Sequence, residues 1–403
     1  MRLRSRTKSS RASSSLSSVI LLAISSYQGS IWAPLTDING GVLRLLVKFA
    51  FPANKTLHWR QRLALAFIQA QRATVPSEIR RRTLRQVLTG FGIKNYCSTH
   101  GMPVKVIPLD PSDVANGSTP PPTLHVVIPP SAPSSGPTLL YFHGGGYVNP
   151  MRAVGHVPFV LSCAAASQAK EVVFVEYSLA PEYQYPTQLI QAIASFRYLV
   201  DTLKVSPDDM IIGGDSAGGN MVGALLAHLA VPSPYAAPLD RGGKKVRAAL
   251  FVCPWTSMSV DFDSYKTNDG KDYLNRRQAV EFKDAWNPKE ADVWANLSGA
   301  KGSAEVWDQV FGRNDSPGLV ERAMVVVGTA EVLLGDCRTF GQNHLRGETV
   351  VGGRAADWTA LDEQPFVYVE CEGEVHVQAA LDSAVGYEGG AMTCAILHWL
   401  KHS

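Results

Sequence analysis

The sequence predicts an α/β fold in which a mostly parallel central sheet carries helices on both faces, with a helical cap. Three observations predict it. From Thr138 onward, short apolar runs of strand length alternate with longer helix-like ones, the rhythm of βαβ units whose crossovers cover both faces of a parallel sheet. Hydrophobic residues make up 45% of the 403 and charged residues only 18%, ample for a large core and too apolar for a disordered chain. The six cysteines show no CxxC or Cys/His spacing of zinc type, so neither a disulfide framework nor a structural metal is expected to hold the fold.

The elements follow in chain order. Residues 1–36 form a basic, Ser/Arg-rich segment: Arg2, Arg4, Arg6, Lys8 and Arg11 precede any acid, and a short apolar stretch, Val19 to Ile24, follows. That order suits a secretory signal, the acid-free composition suits an organellar transit peptide, and a disordered basic tail has the same make-up. Sequons at Asn54, Asn116, Asn296 and Asn314 lean towards secretion. No run of 18 apolar residues occurs, so a membrane-spanning helix is not expected. Residues 37–95 read as a helical cap segment. Val42, Leu43, Leu45, Leu46, Phe49 and Ala50 form an apolar stripe broken by Arg44 and Lys48, Trp59 to Arg72 repeats it, and Ile79 to Leu88 restarts after Pro76. Residues 96–403 read as the main domain. Leu124 to Ile128 and Thr138 to Phe142 are expected as adjacent strands joined by a Pro/Ser-rich loop. Further strands are expected at Val172 to Tyr177, Met210 to Gly213, Val246 to Cys253, Met324 to Val327 and Phe366 to Glu370. Helices are expected at Leu189 to Leu203, Ala217 to Ala230 and Tyr387 to Lys401. Residues 261–312, rich in Trp, Asp and Asn, break the rhythm and read as a cap insertion over the sheet.

Two segments carry chemistry. The apolar strand ending at Gly213 runs into Gly214-Asp215-Ser216-Ala217-Gly218 and then a helix-forming stretch. A nucleophilic serine on a strand-to-helix turn needs small residues two positions to either side, and the helix N-terminus then faces developing negative charge. His143-Gly144-Gly145-Gly146-Tyr147 directly follows another strand. Consecutive glycines cost backbone entropy unless the main chain must approach something closely. Their N–H groups, with that of Ala217, form a candidate oxyanion hole of Gly144, Gly145, Gly146 and Ala217, in which Gly144 shapes the loop. His143 reads as a brace for the loop. In a Ser–acid–His chain order the base and acid follow Ser216. His376, after a strand and on a loop, is the expected base, ahead of His344 in a polar stretch. Glu331, just past a strand end, is the expected acid, with Asp336 as the alternative.

Together these segments resemble the hormone-sensitive-lipase-like group of α/β-hydrolases. Its His-Gly-Gly-Gly stands at 143–146, its Gly-Asp-Ser-Ala-Gly-Gly at 214–219 and its Tyr-x-Leu-Ala-Pro-Glu-x-x-x-Pro at Tyr177 to Pro186. Cys253-Pro254-Trp255 is similar to its Ser-Pro-Trp, with Cys in place of Ser. The resemblance covers about residues 95–403. Gly-Thr-Ala-Glu331-Val-Leu looks like the fungal steryl-acetate-hydrolase-type branch, where Glu replaces the commoner Asp. The long interval from Glu331 to His376 departs from the pattern and implies an inserted loop around residues 346–363. The resemblance implies an α/β-hydrolase that cleaves carboxylic esters of hydrophobic small molecules through an acyl-enzyme, needing neither metal nor cofactor. It also implies a cap whose aromatic residues, with Tyr147, line the substrate pocket; for Trp59, Trp286, Trp294 and Trp307 plain core packing is the competing reading. A secondary-metabolite tailoring enzyme using the same triad, and a non-catalytic ligand receptor, are the other function classes this scaffold accommodates.

The overall net charge of +3 argues against a dedicated nucleic-acid partner but hides a segregation. Residues 1–95 hold 16 of the 38 Lys and Arg against Asp37 and Glu78, a net of +14, and residues 96–403 hold the other 22 against 33 acids, a net of −11. The basic segment with the Val42 to Phe51 stripe is therefore expected to approach an anionic membrane surface, or else to pair with the acidic domain.

Overall fold

The structure, a computed structural model, describes residues 38–74, 88–114 and 118–403. The basic segment 1–36, the expected helix from Ile79 and the Asn116 sequon lie outside them. Helices α1 (Ile38–Ala50) and α2 (Trp59–Thr74) open the chain, and α3 (Thr89–Thr99) leads into strands β1 (Val104–Pro108), β2 (Thr123–Val127) and β3 (Thr138–Phe142). Then follow α4 (Ala153–Ala166), β4 (Glu171–Glu176), α5 (Thr187–Arg197), β5 (Met210–Asp215), α6 (Ala217–Ala230) and β6 (Val246–Val252). Three helices, α7 (Ser264–Thr267), α8 (Arg276–Trp286) and α9 (Ser303–Phe311), precede β7 (Val320–Gly328). The chain ends with α10 (Leu334–Arg338), β8 (Glu348–Gly352), β9 (Phe366–Cys371), α11 (Gln378–Ala384) and α12 (Ala391–Leu400).

Among the described residues the nine strands form one sheet in the order β1-β2-β4-β3-β5-β6-β7-β9-β8. Only the β1–β2 and β2–β4 pairings are antiparallel. The period-2 alternation of strand side chains splits the apolar residues between two cores. Leu140, Phe142, Ile212, Phe251 and Val325 go to one face, covered by α5, α6 and α9. Leu139, Tyr141, Ile211, Leu250 and Val326 go to the other, covered by α4 and α12. Burial on both faces explains why the parallel strands read as unbroken apolar runs.

Several expectations need correction. The Leu124 and Thr138 strands are not neighbours, because β4 pairs with both β2 and β3 and lies between them. The boundary at residue 95 falls inside α3, whose Ile93 and Cys97 pack into the core beside α4, so this helix belongs to the main domain. The C-terminal part of the 261–312 insertion is no cap either: α9 buries Trp307, Val310 and Phe311 against the sheet-side core. The interval 346–363 is more than a loop, since β8 adds a parallel edge strand beside β9. The last helix starts at Ala391, not Tyr387, where the Glu374 carboxylate accepts from the N–H groups of Ala391 and Met392 and satisfies two donors of its first turn. Helix α4 was hidden by its interior Pro158 and its nearly uniform apolar composition. Sequons Asn54 and Asn296 are buried, and their amides donate to the carbonyls of Gly373 and Glu290, which removes them as glycan acceptors.

Candidate active site

Strand β5 delivers Ser216 onto the turn that starts α6, at φ 54° and ψ −117°. A non-glycine residue there costs about 1–3 kcal/mol and has to be held by its surroundings. Ser216 N–H donates to the Val252 carbonyl at 2.9 Å, and the Ser216 carbonyl accepts from Trp255 N–H at 3.0 Å. The glycines on either side are a steric requirement: a Cβ on Gly214 would lie 2.4 Å from the Gly218 carbonyl oxygen, and one on Gly218 would lie 2.0 Å from that of Phe142.

The imidazole of His376, on the loop after β9, meets the serine. Its Nε2 lies 2.9 Å from Ser216 Oγ and its Nδ1 lies 3.0 Å from Glu331 Oε1. Glu331 follows β7, is fully buried, and its Oε2 accepts from Gly328 N–H at 2.9 Å. An ionised carboxylate only accepts, so Nδ1 carries the proton and Nε2 is free to accept from the serine hydroxyl. Burial alone pulls the His376 pKa down, but Glu331, with Asp272 and Asp215 beyond it, outweighs burial and leaves it above the ordinary value of 6.5. Cys253, at φ 47° after β6, accepts from Val377 N–H at 3.2 Å and sets its sulfur against the Glu331 and His376 side chains.

The glycine loop leans on Asp215. That buried carboxylate accepts from Tyr141 Oη at 2.8 Å, Gly144 N–H at 3.0 Å and His156 Nε2 at 3.2 Å. The Gly144 N–H is thereby spent on Asp215, so Gly144 shapes the loop and is not one of its free donors. Among the described residues the N–H groups of Gly145, Gly146 and Ala217 have no protein acceptor. Gly146 sits at φ 64° with Phe282 of α8 so close that a Cβ would lie 2.3 Å from the ring. His143 braces the loop as expected. Its Nδ1 donates to the Gly144 carbonyl at 2.6 Å, its Nε2 faces Thr89 Oγ1 at 3.2 Å and its ring stacks on Tyr177. Burial lowers its pKa to about 4, so it stays neutral at ordinary pH.

Other sequence-derived candidates lie elsewhere. Tyr147, next to Gly146, is buried, donates to Asn220 Oδ1 at 2.8 Å and stacks on Trp286. Asp336 is buried beside Tyr265 with its pKa raised by desolvation, and makes no hydrogen bond to His376 among the described residues. His344 is buried next to Phe340, remote from the serine's hydrogen bonds. Trp307 and Trp286 are core residues, as the packing reading has it, while Trp59 is exposed.

The sequence reading missed the residues that hold the acid and base loops together. Asp272, a buried carboxylate between α7 and α8, accepts from Val332 N–H at 3.0 Å and from His376 N–H at 3.4 Å. Asn268 donates to the carbonyls of Thr329 and Glu331 at 3.0 and 2.8 Å, and Ser264 to that of Val332 at 2.7 Å. Their only signal was the polar richness of the insertion, which reads equally well as surface.

A nucleophile, a neutral base, an orienting carboxylate and convergent N–H donors form an arrangement suited to acyl transfer. Residues 139–351 match the model of a family described as alpha/beta hydrolase fold. The carboxylesterase NlhH of Mycobacterium tuberculosis is 32% identical over 160 residues, 38% of this chain and 46% of that protein. The chain thus spans less than half the length of that relative. An acetyl-hydrolase of Streptomyces hygroscopicus is 27% identical over 229 residues, 55% of this chain and 66% of that protein. Among solved structures, an esterase of the bacterial hormone-sensitive lipase family superimposes with a TM-score of 0.59 at 21% identity, covering 86% of this chain and 98% of that one, a likeness of fold. By that family match, and in keeping with its sheet order and its serine at the turn after β5, the chain belongs to the alpha/beta hydrolase fold family.

Proposed function

We propose that the protein hydrolyses carboxylic esters of hydrophobic small molecules through an acyl-enzyme on Ser216. The observation that carries this is the continuous hydrogen-bonded line from Ser216 Oγ through both nitrogens of His376 to Glu331. Ser216 Oγ attacks the ester carbonyl while its proton passes to His376 Nε2, and Glu331 stabilises the resulting imidazolium. The tetrahedral oxyanion takes hydrogen bonds from the N–H groups of Gly145, Gly146 and Ala217. As the C–O bond breaks, His376 returns the proton to the leaving alcohol. The same base then deprotonates a water that attacks the acyl carbonyl and frees Ser216. The carboxylesterase and acetyl-hydrolase among the relatives support ester hydrolysis. The acetyl-hydrolase among the relatives supports acetyl and other short acyl groups as substrates.

Nitrophenyl esters of graded acyl length and a fluorophosphonate probe test this. The wild-type protein is expected to hydrolyse acetyl and butyryl esters and to be labelled, and Ser216→Ala to lose the label and about 10⁶-fold in kcat. Wild-type silence in both assays overturns the reading.

A further inference from the structure

We propose that the exposed face of α1 docks the protein on an anionic membrane surface. An ordinary surface helix turns its apolar face inward. Helix α1 packs on α2 yet leaves Val42 51%, Leu43 62% and Leu46 58% exposed, with Phe51 just past its end at 80%. At about 100° per residue, Val42, Leu43, Leu46 and Val47 share one side of the helix, and Arg44, whose guanidinium also donates to the Ala73 carbonyl at 3.1 Å, lies with Lys48 on the adjoining side. This is the pattern of a helix lying in the plane of a lipid interface, its apolar side in the acyl boundary and its cations at the headgroups.

Charge selects the occupant. From Ile38 to Ser77 the chain carries Arg44, Lys48, Lys55, Arg60, Arg62 and Arg72 and no acid at all. Thirty-seven residues precede α1, with five further cations and Asp37 as their sole acid. A second copy of the same face would bring like charges together, whereas an anionic leaflet attracts them. Among the described residues no helix is long and apolar enough to cross a membrane.

Helix α2, on which α1 packs, reaches the candidate site. Leu57 and Leu65 of the α1–α2 unit share an apolar cluster with Ala330 and Val375, the neighbours of Glu331 and His376. Docking through α1 would hold that side of the site near lipid, where hydrophobic esters concentrate. This consequence rests on the hydrolase reading; docking itself does not.

Flotation of the full chain with phosphatidylcholine vesicles, with and without about 30% phosphatidylserine, tests the proposal. The wild type is expected to float with the anionic vesicles and to be released by high salt. The exposed double variant Leu43→Asp/Leu46→Asp is expected to lose at least about tenfold in partitioning, and Arg44→Glu or Lys48→Glu about fivefold or more each. Turnover of a soluble short-chain ester serves as the folding control and is expected to be unchanged in all of them. Equal flotation of the wild type and the double variant overturns the proposal, because binding would then lie elsewhere in the chain. So does an absence of wild-type flotation, or a dimer in light scattering that the double variant abolishes. A catalytically silent protein that floats as expected sinks the hydrolase reading and leaves docking standing.

Discussion

Glu331 and Asp336 stand five positions apart after the same strand, and the structure separates them by what each touches. Glu331 spends one oxygen on Gly328 N–H and turns the other to His376 Nδ1, while Asp336 lies beside Tyr265, where burial raises its pKa well above the usual carboxylate range. Glu331→Gln keeps the volume but presents an amide that can hold the imidazole in the wrong tautomer, so kcat is expected to fall by about 10⁴-fold. Loss of that charge also removes what holds the His376 pKa above 6.5, so the acidic limb of the residual kcat/KM profile moves to lower pH. Asp336→Asn is expected to leave kcat within a few-fold of wild type, because Asp336 makes no hydrogen bond to His376. A pH–rate series on the three proteins checks both; if only the Asp336 variant loses activity, the acid has been assigned to the wrong residue.

The short insertion segment from Ser264 to Asp272 acts at the level of elements. It bonds the main chain at Thr329, Glu331, Val332, Gly335 and His376, and so ties the loop after β7 to the loop after β9. Burial raises the Asp272 pKa to about 6, and its charge contributes to raising that of His376. Asp272→Asn is expected to lower kcat by about ten- to a hundredfold with little change in KM, and to shift the acidic limb downward. A purely structural role would leave the limb in place. Such ties were illegible in the sequence because they join residues 60 or more positions apart through main-chain groups that every residue carries. The elbow and the glycine loop were legible because their geometry demands particular residue types: Gly214 and Gly218 by contact distance, Gly146 by backbone angle. The strands buried on both faces were legible as apolar runs. Strands β1 and β8 sit at the sheet edges with mostly part-exposed or exposed residues, and five such residues carry too little pattern to be read.

Across the whole molecule, buried titratable groups set how stability answers to pH. Burial works against ionisation of Asp215, Glu176 and Glu370, but His156, His125 and Arg338 outweigh it and hold all three below their ordinary values. Their stabilisation is therefore present above about pH 4 and lost as pH falls through their folded pKa values. Between about pH 4 and 6.5 two sets oppose each other. Asp272 and Glu374, raised to about 6 by burial, favour the folded state less as pH rises; His143, lowered to about 4, and His228, also lowered by burial, favour it more. Above pH 6.5 the opposition ends. His376 and His156 are both held above 6.5, burial notwithstanding, by Glu331 and Asp215 respectively, so the folded state binds more protons than the unfolded chain. Stability is then lost as pH rises through their folded values. The thermal midpoint is expected to be nearly flat from about pH 5 to 6.5, to decline towards pH 8 and to drop on acidification below about pH 4. The decline has a local source that one substitution exposes. At pH 6 a charged His156 faces the buried Asp215 at 3.2 Å, and removing one partner of such a pair costs about 3 kcal/mol or more. As pH rises through its raised folded value His156 loses that proton, so His156→Gln should lower the midpoint more at pH 6 than at pH 9. Scanning fluorimetry of the wild type and this variant across the range decides it: a midpoint that climbs between pH 6.5 and 8, or equal losses at pH 6 and 9, would show that the pair is not the source of the alkaline decline.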